Sequence, residues 1–185
     1  MPGLAINQAT TRPQWSLAEA IAGYAKAGIS GIGIWPDKIR ECGLAEARRR
    51  LDDCGLAVTS YAGGELFVDR RGEAQPSDFA RRLVDEAAAL GAACLVCVVG
   101  GLAAGSRDIA DARLRARDGL AALLPIARAA GVALAIEPVH PMRAAEISCI
   151  NTLAAANDLC DALGDGLGIA VDAYHVWWDP ALKPE

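Results

Sequence analysis

Two acidic residues and the only two histidines of the chain follow one pattern. His140 comes three residues after Glu137, and His175 comes three residues after Asp172. Each acidic residue closes a short apolar run that is typical of a buried strand. Carboxylate oxygens and an imidazole together form a suitable ligand set for a hard divalent cation. The pattern indicates a metal-assisted site, although a lone histidine often has a structural role and a strand-end carboxylate can simply cap the next helix.

Two further side chains stand at the ends of predicted strands, Asn7 after the first and Trp35 after the second. If parallel strands carry all four residues, their side chains meet at one edge of the sheet. Glu137 and Asp172 would then face a shared cavity, where two carboxylates repel each other. Both stay ionised only if a cation lies between them or water reaches them.

The elements that must position these residues alternate along the chain as strand, turn and helix. A capping box at Ser16 and Glu19 starts the first helix, which ends at Gly28, and the second is predicted to break near Gly43. The predicted strands are Leu4–Asn7, Gly31–Trp35, Ala57–Tyr61, Cys94–Val99, Ala133–Glu137 and Leu167–Asp172. The later helices are predicted over Asp37–Cys54, Ser77–Leu90, Ala110–Ala130 and Thr152–Leu163, the last with Asn151 as its N-cap.

Alternating strands and helices fit either an open doubly wound sheet or a (β/α) TIM-type barrel. One face of each strand is bulky, as with Leu134 and Ile136, while the other is small until its last residue, as with Ala133, Ala135 and Glu137. A doubly wound sheet carries helices on both faces and would need bulky residues on both. The pattern favours an α/β barrel with about six of the usual eight strand–helix units.

Four segments resemble the xylose isomerase-like TIM barrels, a family of sugar and sugar-phosphate isomerases and epimerases related to the endonuclease IV fold. Residues Ile136–Pro141 and Val171–Pro180 carry the more specific part of the resemblance. Residues Ala5–Thr10 and Gly31–Trp35 are similar to the first two strands of the family. The resemblance extends along the chain, and we expect residues 1–185 to form a single, incomplete barrel domain.

The resemblance implies roles for the residues at the strand ends. Glu137 and Asp172 match metal ligands of the family, and Glu137 also matches the acid/base of its epimerases. His175 matches a residue that contacts substrate oxygens. His140 and Trp35, together with Asn7, would line the pocket for a sugar or sugar phosphate. The implied cofactor is Mn²⁺ or Mg²⁺, with Co²⁺ or Zn²⁺ as alternatives, and the reaction is proton transfer beside a carbonyl through an enediolate.

The family completes this site with a histidine from strand seven and a glutamate from strand eight, which this chain does not reach. Two alternatives therefore stay open beside the isomerase. A truncated, inert barrel could serve as a binding or assembly module, because its unpaired sheet edges favour association between copies. A phosphodiesterase related to endonuclease IV would need several zinc ions, hence more histidines, and a basic surface.

Composition excludes several classes of protein. The 185 residues are 53% hydrophobic and 22% charged, which excludes disorder, and no apolar run approaches the length of a membrane span. A net charge of −5 disfavours nucleic acid as a partner. Cys94 and Cys97 lie three apart on a predicted strand and so on opposite faces, which excludes a shared metal. We expect all six cysteines to be reduced and the protein to be cytoplasmic.

Overall fold

The computed structural model describes residues 3–69, 71–74 and 78–182, and within them six strands form one parallel sheet. The strands are Ala5–Asn7 (β1), Gly31–Ile34 (β2), Ala57–Gly63 (β3), Cys94–Cys97 (β4), Ala133–Ile136 (β5) and Leu167–Ile169 (β6). The helices are Leu17–Lys26 (α1), Pro36–Cys42 (α2), Leu44–Cys54 (α3), Phe79–Leu90 (α4), Ile109–Ala129 (α5), Leu153–Leu163 (α6) and Ala173–Val176 (α7).

The order of the strands decides between the two predicted architectures. Each strand pairs with the next one in sequence, from β1 to β6 without a reversal. A doubly wound sheet reverses its order once, whereas barrel strands run consecutively. The fold is therefore α/β of the TIM-barrel type, as predicted, and within the described residues β1 and β6 form the edges of the sheet.

The predicted difference between the two sheet faces is confirmed. The bulky side chains of Ile32, Ile34, Leu134 and Ile136 are almost fully buried beneath the helices. On the other face, small residues stand in register across neighbouring strands. Gly31 lies beside Ala5 and is so close to it and to Thr59 that an added Cβ would meet both at 2.8 Å. Small residues are thus required there because neighbouring strands crowd this face.

Several boundaries differ from the prediction. Strands β5 and β6 are shorter than expected, so Glu137 and Asp172 lie just beyond their ends and not within them. A short helix, α7, follows β6, where no helix was predicted. The predicted break near Gly43 is confirmed, since this residue separates α2 from α3 with a φ of 83°. The predicted helix start at Ser77 lies outside the described residues.

One predicted helix cap is right and one is wrong. Ser16 and Glu19 form the expected capping box at the start of α1. At α6, however, the N-cap is Thr152, whose hydroxyl accepts a hydrogen bond from the Ala155 N–H at 3.1 Å. Asn151 turns away from the helix because its amide has partners in the preceding loop.

Asn151 and Asp179 fasten the chain around the last two strands. The buried amide of Asn151 donates to the carbonyl oxygens of Val139 and Ser148, both at 2.9 Å. The carboxylate of Asp179 is also buried and accepts from the Leu153 N–H at 2.8 Å at the start of α6. These bonds fix the loop after β5 and the segment after α7, which flank Glu137 and Asp172.

All six cysteines are free thiols. Cys97 is fully buried while Cys94 is partly exposed, which agrees with their predicted positions on opposite faces. Among the helices that the structure describes, none combines the length and the apolarity that crossing a bilayer demands.

Asn151→Ala should lower the free energy of unfolding by about 1–3 kcal/mol, because it leaves the buried Val139 and Ser148 carbonyls without this donor. Asn157→Ala, at an exposed position on α6, is the matched control and should change stability by less than about 0.5 kcal/mol. Urea unfolding followed by circular dichroism measures both. Equal effects of the two variants would show that the Asn151 amide does not fasten the loop.

Candidate active site at the carboxyl ends of the strands

A cavity of about 460 Å³ opens at the carboxyl ends of the strands. Residues from or just after all six strands line it: Asn7, Gly33, Ile34, Trp35, Ser60, Ala62, Gly64, Glu65, Val96, Val98, Glu137, Val139, Ile147, Ala170, Val171, Asp172, Ala173 and His175. Most of these are small or β-branched. The small face of the sheet therefore leaves the space in which the polar strand-end residues meet.

Glu137, Asp172 and His175 form a cluster on one wall of this cavity. One potential ligand atom of each residue lies within 4.8 Å of the others. The His175 Nε2 atom is 3.9 Å from Glu137 Oε1 and 4.0 Å from Asp172 Oδ2. The predicted convergence of the two carboxylates is present, and His175 joins them.

Local backbone structure explains how these three side chains converge. Glu137 directly follows β5, and its N–H donates to the Cys97 carbonyl at 3.1 Å, which continues the pairing with β4. Asp172 is the N-cap of α7, where its Oδ1 accepts from the Tyr174 N–H at 2.8 Å. The cap occupies one carboxylate oxygen and leaves Oδ2 facing His175. Asp172 thus caps α7 and also lies in the cluster with Glu137 and His175.

Within this cluster, Glu137 has a raised pKa. Burial, followed by the charge of Asp172 and a hydrogen bond to it, raises the pKa of Glu137 to about 7. The His175 Nδ1 atom is buried and has no hydrogen-bond partner among the described residues. The site therefore holds an acid that can gain or lose a proton near neutral pH, beside an imidazole and a second carboxylate.

The donor set fits a divalent cation. Two carboxylates that repel each other and an imidazole at about 4 Å are the groups that such an ion draws together. A bound cation would also lower the pKa of Glu137, because a positive charge close to the carboxylate favours its ionised form. Glu137, Asp172 and His175 are therefore the described residues that could hold a metal.

Asn7 and Trp35 also line the cavity, as predicted, and they bind each other. The Asn7 Oδ1 atom accepts from Trp35 Nε1 at 2.8 Å and from the Ala9 N–H at 3.0 Å. This carbonyl oxygen is thus committed to holding the indole in place and to starting the turn after β1. The amide nitrogen of Asn7 and the face of Trp35 remain the groups with which the two residues could contact a substrate.

His140 does not line this cavity, contrary to expectation. It begins a turn of 3-10 helix, and its Nδ1 accepts from the Met142 N–H at 3.2 Å. Its ring packs edge-on against Trp178 at 5.7 Å. His140 lies in a neighbouring groove that it shares with Met142, Arg143, Tyr174, His175 and Trp177. The identical spacing of the two histidines therefore does not give them equivalent positions.

Glu65 lines the cavity but was missed by the sequence analysis. It follows the end of β3 and has a φ of 58°, a left-handed conformation that is uncommon for residues other than glycine and clusters at functional sites. Its position just after a strand, the same signal that identified Glu137, could have revealed it.

The glycines that follow β3 and β4 have different surroundings. Gly64 lines the cavity. Gly100 and Gly101 instead pack against loop backbone, since an added Cβ would lie 2.5 Å from the Val68 carbonyl oxygen and 2.1 Å from that of Ala145. These two glycines serve loop packing.

Comparison with known proteins identifies the family. The family model for xylose isomerase-like TIM barrels matches residues 21–184, most of the chain. The chain belongs to this family. A solved structure from Sinorhizobium meliloti 1021, protein SMc04130, is 48% identical, with a TM-score of 0.88 over 97% of this chain and 66% of that one. A comparison with curated protein sequences finds no match.

More distant solved structures share the xylose isomerase-like fold. A D-psicose 3-epimerase in the presence of D-fructose is 17% identical, with a TM-score of 0.74 over 92% of this chain and 63% of that one. The IolI protein with a bound zinc atom is 19% identical, with a TM-score of 0.73 over the same shares of the two chains. This chain thus spans slightly less than two thirds of the S. meliloti protein and of these two proteins.

The raised pKa of Glu137 predicts a specific pH dependence of stability. The folded chain holds this proton up to about pH 7, whereas the unfolded chain loses it near the ordinary value of 4.5. Between these values the folded state binds more protons, so its stability falls as the pH rises. In metal-free buffer, Glu137→Gln should therefore be more stable than the parent at pH 8, by up to about 3 kcal/mol, and equally stable near pH 4.

Denaturant unfolding across this pH range, with a chelator present, measures the difference. Glu146→Gln, at an exposed position, is the control and should follow the parent at every pH. A difference between Glu137→Gln and the parent that does not change with pH would contradict the assigned shift.

Proposed function

We propose that this chain carries part of the active site of a divalent-metal-dependent sugar or sugar-phosphate isomerase or epimerase. The observation that carries the proposal is the convergence of Glu137, Asp172 and His175 in one cavity. Membership of the xylose isomerase-like family supports it. The distant neighbours include a D-psicose 3-epimerase and a 3-keto-D-glucoside 4-epimerase, although that likeness concerns the fold.

Glu137 is the proposed base and acid. Its carboxylate lines the cavity, where it can remove a proton from a substrate carbon and return it. Return of the proton to the opposite face of the same carbon gives an epimer, while return to the neighbouring carbon converts an aldose to a ketose. Which of these two reactions follows depends on the sugar that the cavity holds.

Asp172 and Glu137 are the proposed metal ligands, with Mn²⁺ or Mg²⁺ favoured by their oxygen donors. A bound ion would supply Lewis-acid chemistry, polarising the substrate carbonyl and offsetting the charge that develops on its oxygen. The α7 cap fixes the Asp172 carboxylate, so that Oδ2 is held in place before any ion arrives. The zinc atom in the distant IolI structure keeps Zn²⁺ among the candidates.

His175 is proposed to contact substrate oxygens and not the metal. A ligating histidine almost always donates its second ring N–H to a carboxylate, carbonyl or water, which fixes the ring. His175 Nδ1 has no such protein partner among the described residues. Nε2 faces the carboxylates and the cavity, where it can donate to a hydroxyl or to a carbonyl oxygen that gains negative charge.

The two alternatives are less well supported. A phosphodiesterase with several zinc ions would draw on more than the two histidines of the chain, and the structure places His140 outside the cavity. An inert assembly module would have no need of two carboxylates that destabilise each other. Free thiols at all six cysteines support the expectation of a reducing compartment such as the cytoplasm.

The parent chain should bind Mn²⁺ with a dissociation constant on the order of micromolar, as isothermal titration calorimetry can measure. Loss of an outer-shell partner alone weakens metal binding by about 10-fold to 100-fold. Glu137→Ala and Asp172→Ala each remove a ligand, so each should lower the Mn²⁺ affinity by more than about tenfold. Asp161→Ala, on the exposed side of α6, is the control and should bind like the parent. Absence of Mn²⁺ binding by the parent would favour the assembly module.

His175→Ala should retain Mn²⁺ affinity within about threefold while slowing proton transfer by about 100-fold. Proton transfer is measured as deuterium uptake from heavy water into the carbon-bound positions of a panel of ketoses, aldoses and their phosphates. Glu137→Gln should abolish this uptake. A loss of Mn²⁺ binding in His175→Ala would make His175 a ligand, and no uptake into any sugar by the parent would refute the proposed reaction.

A further inference from the structure

A second groove of about 420 Å³ adjoins the active-site cavity at Trp35. The two spaces share Trp35, Gly64 and Glu65 as lining residues, so they are separated by one indole and one loop. The outer wall of the groove is formed by α2 and α4. A ligand with its reacting end at Glu137 could therefore extend past Trp35 into this groove.

The lining of the groove is rich in charged side chains of both signs. Among the residues that the structure describes, three arginines and three acidic residues line it together with two aromatic rings: Arg12, Arg40, Arg82, Asp37, Glu65, Glu86, Trp35 and Phe79. The formal charges of these six ionisable side chains therefore cancel. Guanidinium groups only donate hydrogen bonds, and carboxylates only accept them.

Several of these groups are held in fixed positions. Arg12 lies over the Trp35 ring with its guanidinium carbon 4.8 Å from the ring centre, and its Nη2 is 3.0 Å from Asp37 Oδ1. Trp35 is held from its other edge by Asn7. At the far end of the groove the Arg82 guanidinium lies 5.8 Å from the centre of the Phe79 ring. The groove is thus organised before a ligand enters it.

Arg40 is the cation of this groove that is available to a ligand. Its side chain is exposed, and it forms no salt bridge or side-chain hydrogen bond with any other residue of the described ranges. Arg12 and Arg82, by contrast, are paired with Asp37 and Asp78. Arg40 follows the buried Ile39 on α2, which anchors its backbone beside the groove.

A neutral polyhydroxylated ligand suits this lining better than an anion. Each hydroxyl can donate to a carboxylate and accept from a guanidinium, so both kinds of charged group are satisfied at once. A phosphate or carboxylate would also meet the acidic side chains that line the same groove, and like charges at close range repel. The mixture of fixed donors and acceptors therefore points to hydroxyl groups.

We propose that the groove beyond Trp35 is a second sugar-binding subsite, and that the substrate carries a neutral sugar or polyol unit attached to the unit that reacts. The geometry that carries this is the shared wall of Trp35, Gly64 and Glu65 between two spaces of similar volume. The inference rests on the proposed function for the identity of the reacting unit. Arg40 is the residue whose fork of donors contacts the second unit.

The test compares affinities by isothermal titration calorimetry in the presence of Mn²⁺. The probes are D-fructose, D-fructose 6-phosphate and three disaccharides. The disaccharides are palatinose, turanose and lactulose, which each contain a fructose unit in a different linkage. At least one disaccharide should bind about tenfold tighter than D-fructose, the gain expected from one or two hydrogen bonds to charged groups. Arg40→Ala should remove this gain, and Arg40→Lys should restore it only in part, because an ammonium lacks the planar fork.

Arg117→Ala, an exposed arginine on α5 far along the chain from the groove, is the control and should keep the full gain. Disaccharides that bind no tighter than D-fructose, or a gain that survives Arg40→Ala, would overturn the subsite alone. A gain seen with D-fructose 6-phosphate but with no disaccharide would replace it with an anion site. Absence of binding by every sugar, together with absence of Mn²⁺ binding, would overturn the proposed function as well.

Discussion

The repulsion between Glu137 and Asp172 is the constraint around which this structure is arranged. The chain holds two carboxylates at one wall of a partly buried cavity, where burial and their mutual charge raise the pKa of Glu137 to about 7. Folding alone gains nothing from this arrangement, because each carboxylate would be more stable apart in water. Such a pair persists because the surrounding backbone fixes it, and strained or repulsive groups of this kind cluster at functional sites.

Contacts in the connecting segments add to the sheet pairing in fixing these two carboxylates. Glu137 still pairs with β4 through its N–H, Asp172 lies three residues beyond β6, and the segment around each carboxylate is held by a separate contact. The loop after β5 is tied by the buried Asn151 amide, and Asp172 is fixed by the helix it caps. Asp179 then connects the segment after α7 to the start of α6. The strands set the direction of each side chain, and these buried polar contacts set the distance between them.

The cavity itself follows from the small residues on the inner face. Glycine and alanine stand in register across β1, β2, β5 and β6, while the opposite face carries the aliphatic side chains that bind the helices. Trp35 is the large exception, and its size makes it a partition between the cavity and the groove of Arg40. Because Asn7 and Arg12 hold the indole from two sides, this partition is a fixed feature of the fold.

The sequence by itself determined the alternation of strands and helices, the two unlike faces of the sheet and the meeting of Glu137 with Asp172. These follow from local periodicity and from one rule, that parallel strands present their carboxyl ends at the same edge. The positions of the two histidines were decided only by the tertiary structure. Both follow a carboxylate by three residues, yet α7 brings His175 back over the cavity, whereas the turn at Pro141 leaves His140 outside it.

The other differences between the sequence predictions and the structure also lie in the connections between regular elements. Glu65 lines the cavity and has a left-handed backbone conformation, and Asn151 leaves its expected cap because the carbonyl groups of Val139 and Ser148 in the preceding loop accept its amide. Periodicity describes side chains on regular elements, where the backbone repeats itself. In the connections the direction of a side chain depends on contacts with other parts of the chain, and these exist only once the chain has folded.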